Sequence, residues 1–174
     1  MSIVVRLIHC IMLVLASNSP LFSQNIDSFQ TAKPDTSVIL EIIRGDYGMT
    51  SLPGTFIYLR VRSDGRAEYE TTKQSESAPR STSYRVRNEV VLSSSEVNQL
   101  IQLGSQSSFL SALDKYPAVK RFTDSGTVTT IRFFHSNGVK QIEIVNYSPE
   151  VAEVARYPKP LVDIMEKARA LREQ

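Results

Sequence analysis

Cysteine is almost absent from this chain, histidine is scarce and tryptophan is missing: the 174 residues hold one cysteine, two histidines and no tryptophan. A lone cysteine, Cys10, cannot build a disulfide framework. Cys10 and His9 both sit in the apolar front segment, so a chain trimmed of that segment keeps only His135. Composition alone then excludes thiol, redox and cysteine-zinc chemistry, and no metal or cofactor is expected. An excess of either charge is lacking too. The formal net charge is +2 and falls by one if Arg6 is lost, which gives no electrostatic case for nucleic acid. Residues 45–54, G-D-Y-G-M-T-S-L-P-G, read as a loop, but without the GK[ST] ending or following helix of a phosphate-binding loop.

The front of the chain is different in kind. Arg6 precedes an apolar run over residues 7–16, and small or polar residues follow through Ser23. A short basic stretch before an apolar run too short to span a bilayer comfortably is the pattern of a secretory signal peptide, here residues 1–23. Cleavage after Ser23 is expected, with a site nearer Ser17 or Ser19 as the competing reading. The alternative is an uncleaved N-terminal anchor, against which His9 and Cys10 weaken the apolar run. Residues 24–36 are polar and aperiodic, a flexible lead-in to one domain over residues 37–174.

Two hairpins organise that domain. In residues 126–147, runs rich in Val, Ile, Thr and Phe flank Asn137-Gly138, the signal for a two-residue type I′ turn. Counting outward sets Phe133 against Ile142, Ile131 against Ile144 and His135 against Lys140, with Arg132 facing Glu143 on the other side. The second hairpin joins residues 55–62 to 67–73 through Ser63-Asp64-Gly65. A three-residue loop with Gly65 in the left-handed region pairs Val61 with Ala67, Leu59 with Tyr69 and Ile57 with Thr71. Arg60 then lies beside Glu68 and Tyr58 beside Glu70.

Residues 37–44, nearly continuous in apolar side chains, predict a central strand, and residues 83–92 predict another by alternation. Ser93 and Glu96 match a capping box ahead of Val97, Leu100 and Ile101, with Gly104 ending the helix. A short helical piece at 108–114 offers Phe109, Leu110 and Leu113 to the core, and residues 115–125 read as a loop. Pro160 opens a last helix with Leu161, Ile164, Met165, Ala168 and Leu171 in one stripe. The expected fold is α+β: an antiparallel sheet of about six strands with two main helices packed on one face.

Candidate functional residues are few. His135 beside a hairpin tip reads as structural or solvated, and Asp124 and Ser125 begin the same strand roughly 30 Å away along the chain, too far for a triad. Arg60, Arg62, Arg85 and Arg87 are candidate anion contacts, set against neutralisation by Glu68, Glu70 and Glu89 on a solvated sheet face. Tyr47, Met49, Leu52 and Tyr157 are candidate partner contacts, set against folding over the core edge. Asn146-Tyr147-Ser148 is a formal glycosylation sequon followed by Pro149.

From Val38 onward the layout resembles a family of uncharacterised bacterial exported proteins, a domain of unknown function. The residues that carry the likeness are D-G-R-A-E-Y-E at 64–70, V-N-Q-L-I-Q-L with F-L-S-A-L-D-K-Y within 97–116, the N-G-V-K hairpin and the closing apolar helix. The resemblance implies no activity, cofactor or catalytic residue. The expectation is an exported, periplasmic or secreted, non-catalytic domain, monomeric, that binds a protein partner or small ligand. The alternatives are an envelope hydrolase using Asp124, Glu68 or Glu70, and an inhibitor-like module acting through the loop from Tyr47 to Leu52.

Overall fold

The β-branched runs pair with their neighbours in sequence, and the sheet grows outward from the first of them. A computed structural model describes residues 37–48, 54–75, 83–118, 125–147 and 154–173. The leader, the lead-in, Met49, Leu52 and Asp124 lie outside the described residues. The strands are β1 (Val38–Gly48), β2 (Gly54–Arg62), β3 (Arg66–Gln74), β4 (Ser83–Val91), β5 (Lys115–Tyr116), β6 (Ser125–His135) and β7 (Gly138–Val145). The helices are α1 (Ser94–Gly104), α2 (Ser107–Leu110) and α3 (Lys159–Arg172). The strands form one seven-stranded sheet in the order β4-β3-β2-β1-β6-β7-β5, antiparallel except where β5 joins β7 in parallel.

The sheet is thus one strand wider than the sequence suggests. The addition is β5, two residues read as loop, which Asp114 O fixes by accepting the Glu143 N–H at 2.8 Å. The first strand is also longer than expected. It runs on through Gly45, which β2 and β6 pair from both sides, to Gly48, which β6 pairs, and this pairing outweighs the cost of glycine in a strand.

Both hairpins form, with different fidelity. Gly65 takes φ +88°, and Val61 pairs with Ala67 and Arg60 with Glu68, as the three-residue loop requires. The ladder stops there: the pairs of Leu59 with Tyr69 and Ile57 with Thr71 do not form, and Glu70 instead accepts the Ile57 N–H at 3.3 Å. In the other hairpin His135 pairs with Gly138, so the loop is Ser136-Asn137 and the register lies two residues from the one read off Asn-Gly. Of these turn residues only Gly138 has positive φ, at 140°, so a type I′ turn is not made. A shift of two keeps every side chain on its face. Ile131, Phe133, Ile142 and Ile144 stay together and buried, but Arg132 meets Gln141 rather than Glu143.

Strand alternation and helix periodicity feed one hydrophobic cluster. Leu40, Ile42, Leu59, Val61, Ile131 and Phe133 join the α3 stripe Leu161, Ile164, Met165, Ala168 and Leu171. Ser93 and Glu96 make the capping box, and Gly104 ends α1 for a reason of packing: a Cβ there would overlap the Phe133 ring. Its neighbour Ser105 caps the helix in the right-handed region, so no left-handed glycine cap is involved. Leu110 and Leu113, expected in the core, are exposed, because α2 is a single turn that buries only Phe109.

Candidate functional site

Two ionic assemblies lie on the sheet. The first follows from register alone. Gln141, Arg132, Glu41, Arg60, Glu68 and Glu89 stand side by side on neighbouring strands, one rung of six residues running across the sheet. Glu41 is only 7% exposed. Its Oε1 accepts Arg60 Nε at 2.9 Å and Nη2 at 2.6 Å, and its Oε2 accepts Arg132 Nη1 at 3.1 Å. Arg60 also donates Nη1 to Glu68 at 2.7 Å. Burial pulls the Arg60 pKa down, but the hydrogen bonds and charges of Glu41 and Glu68 outweigh it, and the net shift is upward.

The arginines singled out in the sequence belong to this band or its margin. Arg87 stands 3.4 Å from Glu68 and 3.7 Å from Glu70, and Arg62 reaches Ser37 Oγ at 3.0 Å and Glu68 at 3.9 Å. Arg85 lies 4.2 Å from the Phe56 ring centroid and 4.0 Å from Asp46. Each therefore faces a carboxylate of this chain. Tyr47 is exposed beside Gly126, whereas Tyr157 is buried, its ring 5.1 Å from that of Tyr116 and 5.6 Å from that of Tyr147. The His135 ring lies 4.9 Å from that of Phe133.

Sequence reasoning missed the second assembly. Ile42 pairs with Leu59 but Ile43 pairs with Ile57, so Tyr58 is an extra residue in β2, a bulge. The bulge turns Tyr58 into the hydrophobic cluster instead of leaving it beside Arg60 and Glu70. Two guanidinium groups then converge on its ring. Arg172, from the last turn of α3, stands 4.2 Å from the centroid and donates Nη1 to Tyr58 O at 2.7 Å; Arg44, from β1, stands 4.8 Å away. Arg172 also lies 5.4 Å from the Tyr69 ring.

A cavity of about 160 Å³ opens here, lined by Arg44, Tyr58, Tyr147, Met165, Glu166 and Arg169. Arg44 Nε is buried and has no hydrogen-bond partner, and neither Arg44 nor Arg172 forms an ion pair among the described residues. Thr129, opposite Arg44 on β6, holds a hydroxyl that is likewise buried and unpartnered. Burial lowers the Arg172 pKa, and the nearby Arg44 charge pushes the same way. Burial raises the Tyr147 phenol, with the Glu166 carboxylate adding to it. The result is a small aromatic-walled recess with surplus guanidinium donors, suited to one carboxylate or phosphate group rather than a whole drug-sized ligand.

The signal for this recess was faint but present. Arg44 sits two residues after Ile42, and Arg172 sits four after Ala168, so each cation occupies the phase of its own apolar stripe. Among the described residues no group of three His, Cys, Asp or Glu side chains could hold a metal ion, and no helix is long and apolar enough to cross a membrane. Compared with known proteins, the chain matches no family model and no curated protein.

Proposed function

We propose that this is an exported, non-catalytic α+β binding domain of the cell envelope, and that its ligand or protein partner places an acidic group in the recess between Arg44, Arg172 and Tyr58. One observation carries the reading: two guanidiniums stack on one tyrosine with no ion-pair partner among the described residues, and one of them has a buried N–H with no acceptor. A buried donor left unmade costs about 1–3 kcal/mol, and an incoming anion supplies the acceptor. Export rests on the basic-then-apolar pattern of residues 1–23. The reading takes α1 and α3 to cover one side of the sheet, supported by Gly104 against Phe133 and Arg172 against Tyr58, with the Glu41 band on the other. Glu68 is tied to Arg60, and Glu70 to the Ile57 N–H, so both carboxylates are already engaged by donors of this chain.

The test is a titration of the purified protein with acetate and with inorganic phosphate, followed through the arginine Nε–H resonances. Saturable shifts at Arg44 and Arg172 are expected. Arg44→Gln should weaken binding at least about tenfold, since one charge-assisted hydrogen bond is worth about 1.5–3 kcal/mol. No saturable shift with either anion, or unchanged affinity in Arg44→Gln, would overturn the assignment.

A further inference from the structure

The two edges of the sheet are unequal. One is β5, two residues long; the other is β4, nine residues that pair on one side only among the described residues. Long unpaired edges are templates for strand addition. The free edge of β4 can be read atom by atom. Leu92 N–H donates to Gly65 O at 2.9 Å, and this contact continues the register that pairs Arg66 with Val91. Alternate residues of an antiparallel strand turn both backbone groups toward the same neighbour. Val86, Asn88 and Val90 therefore bond toward β3, while Arg85, Arg87, Glu89 and Val91 present their N–H and C=O groups outward.

The side chains on this edge are not neutral about what joins it. Glu89 stands directly across from Glu68, a like-charge pair, and has no ion pair of its own among the described residues. Arg87 is exposed and held loosely, its guanidinium 3.4 Å from Glu68 and 3.7 Å from Glu70. Val91 is 77% exposed, and Tyr84 is exposed as well.

We infer that β4 pairs antiparallel with β4 of a second copy of this chain, about a two-fold axis at Asn88. Outward backbone groups pair only when the two residue numbers have the same parity, and charge selects among the registers that remain. An axis at Arg87 sets Arg87 against Arg87; one at Glu89 sets Glu89 against Glu89; one at Val86 sets Arg85 against Arg87. The axis at Asn88 sets Arg87 against Glu89 twice, Val86 against Val90 twice, and Arg85 against the exposed Val91. The axis at Arg87 also brings Arg85 to Glu89, but only beside the repulsive Arg87 pair. The axis at Asn88 is the one of these registers that supplies Glu89 with the cation its own sheet withholds and opposes no like charges. The polar sides of the two sheets become continuous, and the joined sheet doubles to fourteen strands.

Sedimentation of the purified protein across a concentration series tests this, with two variants. The wild type should show a monomer–dimer equilibrium. Glu89→Arg should weaken it about tenfold, because two cross-strand pairs change from opposite to like charge. The same change places a cation beside Glu68 within each monomer, so thermal stability should hold or rise, and loss of fold cannot account for loss of the dimer. In a Cys10→Ser background, Asn88→Cys should cross-link to itself on mild oxidation, because a non-hydrogen-bonded pair brings its Cα atoms to about 4.5 Å. A sedimentation coefficient independent of concentration, a dimer that Glu89→Arg leaves unchanged, or cross-linking through Arg87→Cys but not Asn88→Cys would each overturn the register.

Discussion

Replacing Glu41 with glutamine changes almost no volume and asks whether the ionic band supports the fold. Glu41 is 7% exposed and accepts three arginine N–H groups, two from Arg60 and one from Arg132. Glutamine keeps one acceptor oxygen and turns an NH₂ toward the other arginine, so at least one charge-assisted hydrogen bond becomes a donor facing a donor. Neither arginine is stranded, because Arg60 retains Glu68 and Arg132 retains Gln141 at 2.9 Å. The cost should therefore fall below the 3–5 kcal/mol of a fully buried pair broken on one side and near about 2–3 kcal/mol. That corresponds to a Tm lower by roughly 5–10 °C in a domain of this size. Denaturant unfolding of Glu41→Gln, Arg132→Gln and the double variant checks it. The more exposed Arg132 should cost about 1 kcal/mol alone, and the double variant should cost less than the sum. A Glu41→Gln protein within about 0.5 kcal/mol of wild type would refute the reasoning and mark the band as solvated decoration.

Gly104→Ala sets helix propensity against packing. Alanine gains about 1 kcal/mol in a helix, but its Cβ overlaps the buried Phe133 ring, and overpacking costs about 1–3 kcal/mol. A net loss is expected in thermal unfolding, largely reversed by adding Phe133→Leu. In the capping box, hydrogen bonds from Ser93 hold the Glu96 carboxyl below its usual range. A carboxyl whose pKa is lower folded than unfolded adds stability at neutral pH, and that stability is lost as pH falls through the folded value. Ser93→Ala should thus destabilise at pH 7, with the difference from wild type shrinking on acidification in a pH series of melts.

Local chemistry was legible wherever it acts over a few residues. The Gly65 turn, the Ser93–Glu96 box and the stripe from Leu161 to Leu171 were all readable from spacing. Face assignments in the Asn137-Gly138 hairpin survived an error of two in register because side chains alternate with period two. Arg132 did not survive it: its partners, Gln141 and Glu41, depend on the turn geometry and on which strand lies beside β6. β5 escaped notice because two residues carry no period. The recess escaped because it exists only where the Tyr58 bulge brings β1, β2 and the end of α3 together, residues 44, 58 and 172, and no local pattern records that meeting.

The brief ladder between β2 and β3 has a mechanical consequence. Arg60–Glu68 and Val61–Ala67 are its only rungs, whereas β3 and β4 are laced along their whole length. The sheet behaves as two stiff plates joined by a short weld, and the free energy needed to peel the outer plate away lies below that of global unfolding. Beyond the weld Glu70 ties Ile57, Arg85 leans on Phe56, and Arg172 spans Tyr58 and Tyr69, one ring on each plate. Arg172 is therefore a clasp that also stacks on Tyr58, a wall of the recess, so an anion drawn to that ring's guanidiniums would be felt at the far edge as a change in how firmly that plate is held.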